Sequence, residues 1–396
     1  MSTYLLEIGT EELPADLAES VISQLEMNVS NDLNSSKIKF SEIRVTTTPR
    51  RIGLTIEGLA PFSEDNIAER KGPPVSQAFH DGKPTKAAIG FARRYDVSPE
   101  KLEIRETPKG SFVFAKLIEK GKPIESLLAE YLPGWITKIQ GRRFMRWAKG
   151  DFRFSRPIRW IVSLIDSEVL PFSLSGCDPE IEIGNISRSH RLYGSEFQIN
   201  NASTYVDQLQ DVGVIVDRQS RLSFIKELID NHKIDNNYKS DLSHQLLNEL
   251  TDLVEFPSLV NGSFDKSFLD LPPEVLSTVM KVHQRYIPLY KENVEYDPLS
   301  LNSRNILLPS FLCISNGLSS AKENIILGNE KVLKARFSDA SFFIKSDLLI
   351  SSSLRINKLK DVTFTEGLGS LYERVNRIEW LAKLLTSKLK FDQEDI

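Results

Sequence analysis

Hydrophobic periodicity along this chain switches between the two-residue period of strands and the roughly 3.6-residue period of helices without settling into a strand–helix alternation. That irregularity points to an α+β architecture rather than to α/β. Tyr4 to Ile8 is a short apolar strand candidate. Pro14 opens a helix running to about Leu33, because the first-turn N–H groups of a helix lack partners anyway, and Leu17, Val21, Leu25 and Val29 share one face of it. Ile43 to Thr47 and Ile52 to Glu57 alternate as strands around Thr48-Pro49-Arg50-Arg51. Lys71-Gly72-Pro73-Pro74 breaks the pattern and Asp81-Gly82 is a turn. Thr85 to Tyr95 reads as a helix. Leu102 to Arg105 and Phe112 to Leu117 read as a hairpin around Lys109-Gly110, and Ile124 to Ile139 as a helix despite Pro133-Gly134.

Beyond a basic stretch, Ile158 to Ile165 is a strand. Helices are expected over 203–212, 218–232, 242–255 and 273–286, and a strand over Leu307 to Ile314 ends in the turn Asn316-Gly317. The remainder is mainly helical, over 321–340, 353–360 and 371–389. With 396 residues and roughly 150 per domain, two or three domains are expected. The divisions are an N-terminal α+β region over 1–140, a central α+β domain over 141–305 opening on the basic aromatic segment, and a mainly helical region over 306–396. Pro, Asn and Ser cluster near 295–320. The last residues, Asp392 to Ile396, follow a helix with no stop signal, so the chain reads as a fragment.

Several function classes are poorly supported. Two cysteines, Cys177 and Cys313, cannot supply a disulfide framework or a Cys-based zinc ribbon. The start, MSTYLLEIGTEELP, lacks the basic and apolar regions of a signal peptide, and no apolar run reaches the roughly 18 residues of a membrane span. These features favour a cytoplasmic protein with no membrane partner. The five histidines are scattered, and His80-Asp81 sits at a turn without spaced histidine partners, so no metal site is expected. His283, on the helix expected over 273–286, reads as a buried, hydrogen-bonded histidine. There is no phosphate loop. Gly367-Leu368-Gly369-Ser370-Leu371-Tyr372-Glu373-Arg374 superficially resembles the glycine-rich arginine motif of class II aminoacyl-tRNA synthetases but lacks companion motifs. It reads as a loop entering a helix. No catalytic residue and no cofactor site are assigned to the chain.

The strongest chemical signal is residues 138–160, KIQGRRFMRWAKGDFRFSRPIRW. Eight basic residues face a single acid, Asp151, in a chain of net charge −4, with Phe144, Trp147, Phe152, Phe154 and Trp160 interleaved. Planar guanidinium groups fork onto phosphate, and aromatic faces stack on unpaired bases. The alternative is a core of aromatics under a solvated charged surface. Arg50-Arg51, Arg70-Lys71, Arg93-Arg94 and Ser187-Arg188-Ser189-His190-Arg191 add smaller basic clusters. The candidate RNA-binding residues are Arg50, Arg51, Arg142, Arg143, Arg146, Arg153, Arg156, Arg159, Arg188 and Arg191.

Ordered segments carry a family resemblance. Glu7-Ile8-Gly9-Thr10-Glu11-Glu12-Leu13-Pro14 resembles the N-terminal signature of the beta subunit of bacterial heterotetrameric glycyl-tRNA synthetase. Thr48-Pro49-Arg50-Arg51, Lys71-Gly72-Pro73-Pro74, Gly90-Phe91-Ala92-Arg93, Met145-Arg146-Trp147 and Arg156-Pro157-Ile158-Arg159-Trp160 follow in order. Leu253 to Pro257, Leu271 to Leu276, His283 to Tyr286, Gly328 to Arg336 and Asp339 to Phe343 continue it, so that the likeness covers about residues 4–378. Where the family usually reads Gly-His-Arg-Phe, this chain has Ser189-His190-Arg191-Leu192.

The resemblance implies a beta subunit that binds glycine tRNA in an alpha2-beta2 ligase, with ATP, Mg2+ and the catalytic core on the alpha subunit. It implies a central domain similar to the editing-type domain of the phenylalanyl-tRNA synthetase beta subunit. It also implies a C-terminal part leading into a His-Asp-type helical domain, truncated here, with the anticodon reader beyond. A structural scaffold, or a free-standing RNA-binding protein without a ligase role, are the alternatives.

Overall fold

The structure, a computed structural model, describes residues 1–108, 110–177, 179–292 and 306–389. Lys109 of the expected hairpin turn, part of the stretch near 295–320, and Asp392 to Ile396 lie outside the described residues. Helices and strands mix in several separate sheets, as an α+β reading expects.

The N-terminal strand, Ser2–Thr10, is the middle of the principal sheet. It pairs antiparallel with Ile158–Ile165 on one side and with Arg51–Leu59 on the other, and Glu42–Thr48 pairs in turn with Arg51–Leu59. Residues 4–10 are all buried because both faces of this strand are covered. Tyr4, Leu6 and Ile8 join one core with Leu17, Val21, Leu25, Val29 and Leu33 of helix Ala15–Ser35. Leu5 joins a second core with Trp160, Val162, Leu164 and Tyr205. The two-residue alternation thus deals successive side chains to opposite cores. Helix Ile124–Thr137 runs through Pro133 and buries Leu128, Leu132 and Trp135, whose Nε1 donates to Asp32 Oδ2 at 2.8 Å.

A smaller three-stranded sheet holds Asn66–Pro74, Gly110–Glu119 and Glu103–Thr107, in that order. Lys71 to Pro74 therefore does not end the pattern as expected. It finishes an edge strand, where a proline's missing N–H costs no ladder bond, and the register shifts between Lys71 and Pro74.

The chain forms two compact units. The first comprises Met1–Asn236, Leu242–Val260 and Ile314–Lys322, and the second Asn237–Asp241, Asn261–Cys313 and Glu323 onward. The division expected near 140 falls inside the first unit, because Ile158–Ile165 hydrogen-bonds along Ser2–Thr10. In the second unit, Phe264, Tyr286, Phe311 and Phe337 pack into one core, and helices Lys322–Leu348, Ser352–Lys358 and Leu371–Leu389 follow. The single helix expected over 273–286 is instead Pro273–Thr278 followed by a π-helical turn, Val279–Gln284. Arg285 ends it at φ 58°, and His283 is exposed rather than buried, since the wider turn rotates it off the apolar face.

Candidate nucleic-acid interface

The basic aromatic segment folds as a hairpin in which Met145–Arg146 pairs with Arg153–Phe154. Its aromatics anchor it. Phe154 is fully buried, Phe144 and Phe152 pack on it at 5.4 and 5.9 Å between centroids, and Trp147 Nε1 donates to Phe154 O at 3.0 Å. With the rings turned inward, Arg142, Arg143, Arg146, Arg153 and Arg159 are exposed and Arg156 is half-buried. Arg146 and Arg153 stand directly opposite each other, an arrangement that repels in a sheet. Asp151 lies 3.3 Å from Arg146, and Glu11 lies 2.8 Å from Arg159. Arg142, Arg143 and Arg153 make no ion pair with the described residues, so the hairpin presents uncompensated positive charge. Arg156 spends one N–H on Ser155 O at 2.9 Å.

A second cluster surrounds Trp160. The guanidinium carbons of Arg50, Arg51 and Arg188 lie 5.7, 5.7 and 4.9 Å from its ring centroid, within cation–π range. The indole N–H and Ser187 Oγ both donate to Glu7 Oε1, and Tyr205 OH donates to Glu7 Oε2 at 2.7 Å. Glu7 is fully buried, so these donors and Arg51 stand in for the water it has lost. Arg51 is also fully buried: Nε donates to Glu255 Oε1 at 3.0 Å, Nη1 donates to Arg188 O at 3.0 Å, and Nη1 lies 3.5 Å from Glu7 Oε2. Burial alone would lower its pKa, but Glu255 and Glu7 outweigh that and raise it. Burial likewise pushes Glu255 up, while Arg51, Thr48 Oγ1 and Arg50 hold its carboxyl below the ordinary range. Burial, with Glu7 adding to it, keeps Tyr205 a neutral phenol.

Arg51 therefore leaves the set of candidate RNA contacts: it has no exposed surface and holds the fold together. Arg50, its neighbour in sequence, is half-buried and lines a pocket of about 220 Å³ with Arg188, Ser189, Arg191 and Ser195. Arg188 lies 3.4 Å from Glu196, and Arg191 pairs with Glu12, which leaves Arg50 as the pocket's unpaired cation among the described residues. Ser189, where the resembled family has glycine, uses its hydroxyl: Ser195 N donates to it at 3.1 Å. The structure thus gathers Arg50, Arg188 and Arg191 at one pocket, and Arg142, Arg143, Arg146 and Arg153 on one hairpin.

Sequence reasoning missed Glu7, Glu255 and Arg221 as parts of a buried polar framework. Arg221 donates to the carbonyls of Thr251, Ile215 and Thr47 at 2.8, 2.7 and 2.7 Å, and burial pushes its pKa down to about 10. A glutamate inside the apolar run Tyr4 to Ile8 was the available signal for Glu7.

The glycine-rich motif near residue 370 is a helix start. Gly367 and Gly369 take φ of 80° and 79°, and helix Leu371–Leu389 follows. Ser370 N donates to Glu373 Oε2 at 2.7 Å and Glu373 N donates to Ser370 Oγ at 3.3 Å, a reciprocal capping box.

The family described as glycyl-tRNA synthetase beta subunit matches residues 4–395. The glycine–tRNA ligase beta subunit of Trichodesmium erythraeum is 42% identical over 394 residues, which are 99% of this chain and 54% of that protein. That of Acaryochloris marina is 41% identical over 395 residues, covering 100% and 54%. That of Bacillus subtilis is 38% identical over 393 residues, covering 99% and 56%. The chain spans about half the length of the curated relatives it matches.

Proposed function

The chain belongs to the glycyl-tRNA synthetase beta-subunit family, and on that premise we propose that it is the tRNA-gripping portion of a two-subunit glycine–tRNA ligase. The observation that carries this reading is the hairpin of Arg142, Arg143, Arg146 and Arg153, held outward by a buried aromatic base and short of counter-ions. Like charges set face to face weaken a hairpin unless an anion joins them, and an RNA backbone offers a row of such anions. These arginines contact phosphates, which position the tRNA without reading its sequence. Arg50 with Arg188 and Arg191 supplies a second phosphate contact.

The partner is the glycyl-tRNA synthetase alpha subunit in an alpha2-beta2 assembly, and the tRNA is that for glycine. ATP and Mg2+ belong to the alpha subunit, which forms the activated glycine, so this chain alone is not catalytic. The fold of the central region is that of the editing-type domain of the phenylalanyl-tRNA synthetase beta subunit, without a claim to its activity, since fold does not carry function. The second reading, a scaffold for alpha subunits, is favoured by the pairing of Arg159 and Arg191 with Glu11 and Glu12, which leaves two of the candidate cations already compensated at the surface.

Glycine-dependent pyrophosphate exchange tests the division of labour. The purified chain is expected to show none, and exchange appears when alpha subunit is added. Exchange by the chain alone would overturn the assignment.

A further inference from the structure

Beneath the hairpin lies a cavity of about 440 Å³, at the lower end of volumes that take small organic ligands, roughly 300–1,000 Å³. Trp147, Phe152 and Pro157 supply apolar lining, and Arg159, Glu180 and Glu182 line the same cavity. The walls are fixed. Trp147 is held by its hydrogen bond to Phe154 O, Phe152 is stacked on Phe154 with 18° between ring planes, and Phe152 N donates to Gly176 O at 3.0 Å, tying the hairpin to the loop that carries the glutamates.

Three features of a ligand follow from three features of the cavity. Aromatic walls call for a flat face. Two carboxylates, acceptors only, call for an edge rich in N–H donors. Arg153 on the same hairpin, and Arg142 and Arg143 leading into it, make no ion pair among the described residues and call for phosphate attached to that ligand. A nucleobase with an exocyclic amino group meets all three: carboxylates accept from cytosine N4 in base recognition, whereas uracil offers carbonyl oxygens at that edge. We propose that this cavity receives one unpaired, amino-bearing nucleobase of the bound RNA, stacked against Trp147 and Phe152 with its amino edge on Glu180 or Glu182. The proposal rests on the RNA-binding reading above and adds to it a site that reads a base rather than a phosphate.

The test measures binding of three fluorescent probes of about eight units to the full chain: oligocytidylate, oligouridylate and an abasic ribose-phosphate strand. Each is titrated at several salt concentrations. The chain is expected to bind oligocytidylate more tightly than oligouridylate, and both more tightly than the abasic strand. Trp147→Ala is expected to weaken oligocytidylate binding about tenfold, the scale of one base–aromatic stack, with the salt slope and abasic binding unchanged. Unchanged abasic binding also shows that the hairpin remains folded. Trp147→Phe, which keeps a ring, is expected to retain most of the affinity, and Glu180→Gln with Glu182→Gln to erase the preference for cytosine over uracil. If the chain binds the probes but Trp147→Ala and the double glutamine variant leave oligocytidylate affinity and the cytosine preference intact, the base pocket is refuted while the phosphate-binding reading stands. If no probe and no tRNA binds the chain at low salt, both are refuted.

Discussion

Arg50 and Arg51 are adjacent and chemically identical, yet Arg51 is fully buried and Arg50 only half-buried, and substituting each to methionine separates a structural role from the proposed RNA contact. Arg51 is fully buried and donates charge-assisted bonds at 3.0 Å to Glu255 and to Arg188 O, with Glu7 3.5 Å away. Arg51→Met keeps the stem and removes the cation that pairs with two buried carboxylates, Glu7 and Glu255. Removing one partner of a buried ion pair costs about 3–5 kcal/mol, and because Glu7 and Glu255 keep other hydrogen-bond donors this change falls near the middle of that range. With a urea slope of about 2 kcal/mol per molar, the midpoint falls by about 2 M. Trp135, Trp147 and Trp160 belong to the first unit and Trp380 to the second, so a Trp380→Phe background makes tryptophan emission report the first unit alone. Arg50→Met, at a half-buried position, costs less than about 1 kcal/mol and instead weakens RNA binding.

The pH dependence carries a sign. Glu255 is held below its ordinary value of 4.5 in the folded chain. Its contribution is therefore complete above that value and lost as pH falls through the lower folded pKa. Without Arg51, burial drives Glu255 above its ordinary value, so the deficit of Arg51→Met grows as pH rises from the lowered folded pKa of the parent through the raised pKa of the variant, and shrinks toward acid. Equal, small destabilisation by the two substitutions, or a deficit that grows toward acid, refutes the reasoning.

Two further outcomes follow from the same framework. Arg221→Lys retains a charge but cannot span the carbonyls of Thr47, Ile215 and Thr251, so it destabilises the first unit by at least about 2 kcal/mol in the same urea assay. Gly369→Ala places a Cβ 1.8 Å from Glu373 Oε2 at a φ of +79°, so it breaks the capping box and frays helix Leu371–Leu389 at its start by roughly 1 kcal/mol, read as faster amide exchange over that first turn.

Local periodicity made much of the fold legible. Leu17, Val21, Leu25 and Val29 announce helix Ala15–Ser35, and the apolar run at 158 to 165 is the strand itself. Partners in space were not legible, because the pairing of Ile158–Ile165 with Ser2–Thr10 leaves no trace in either segment. The proline-bearing end of Asn66–Pro74 read as a break because its place at a sheet edge is a tertiary fact. Composition marked the basic hairpin correctly as a place where arginines gather. It could not divide Arg50 from Arg51, since strand alternation says only that neighbours face opposite ways, and here one of those ways leads into a buried carboxylate pair. Glu180 and Glu182 carried no signal, because their place in one cavity lining with Trp147 and Phe152 is a tertiary fact.

The central claim is that the hairpin arginines grip RNA through phosphates, and a salt-resolved titration of glycine tRNA against the chain tests it most directly. Wild-type affinity is expected to fall linearly on logarithmic axes. Replacing Arg142, Arg143, Arg146 and Arg153 together by glutamine is expected to reduce the slope by roughly 0.7–0.9 for each phosphate no longer neutralised, and to weaken unrelated tRNAs about equally. A quadruple variant with unchanged affinity and unchanged slope would contradict the claim.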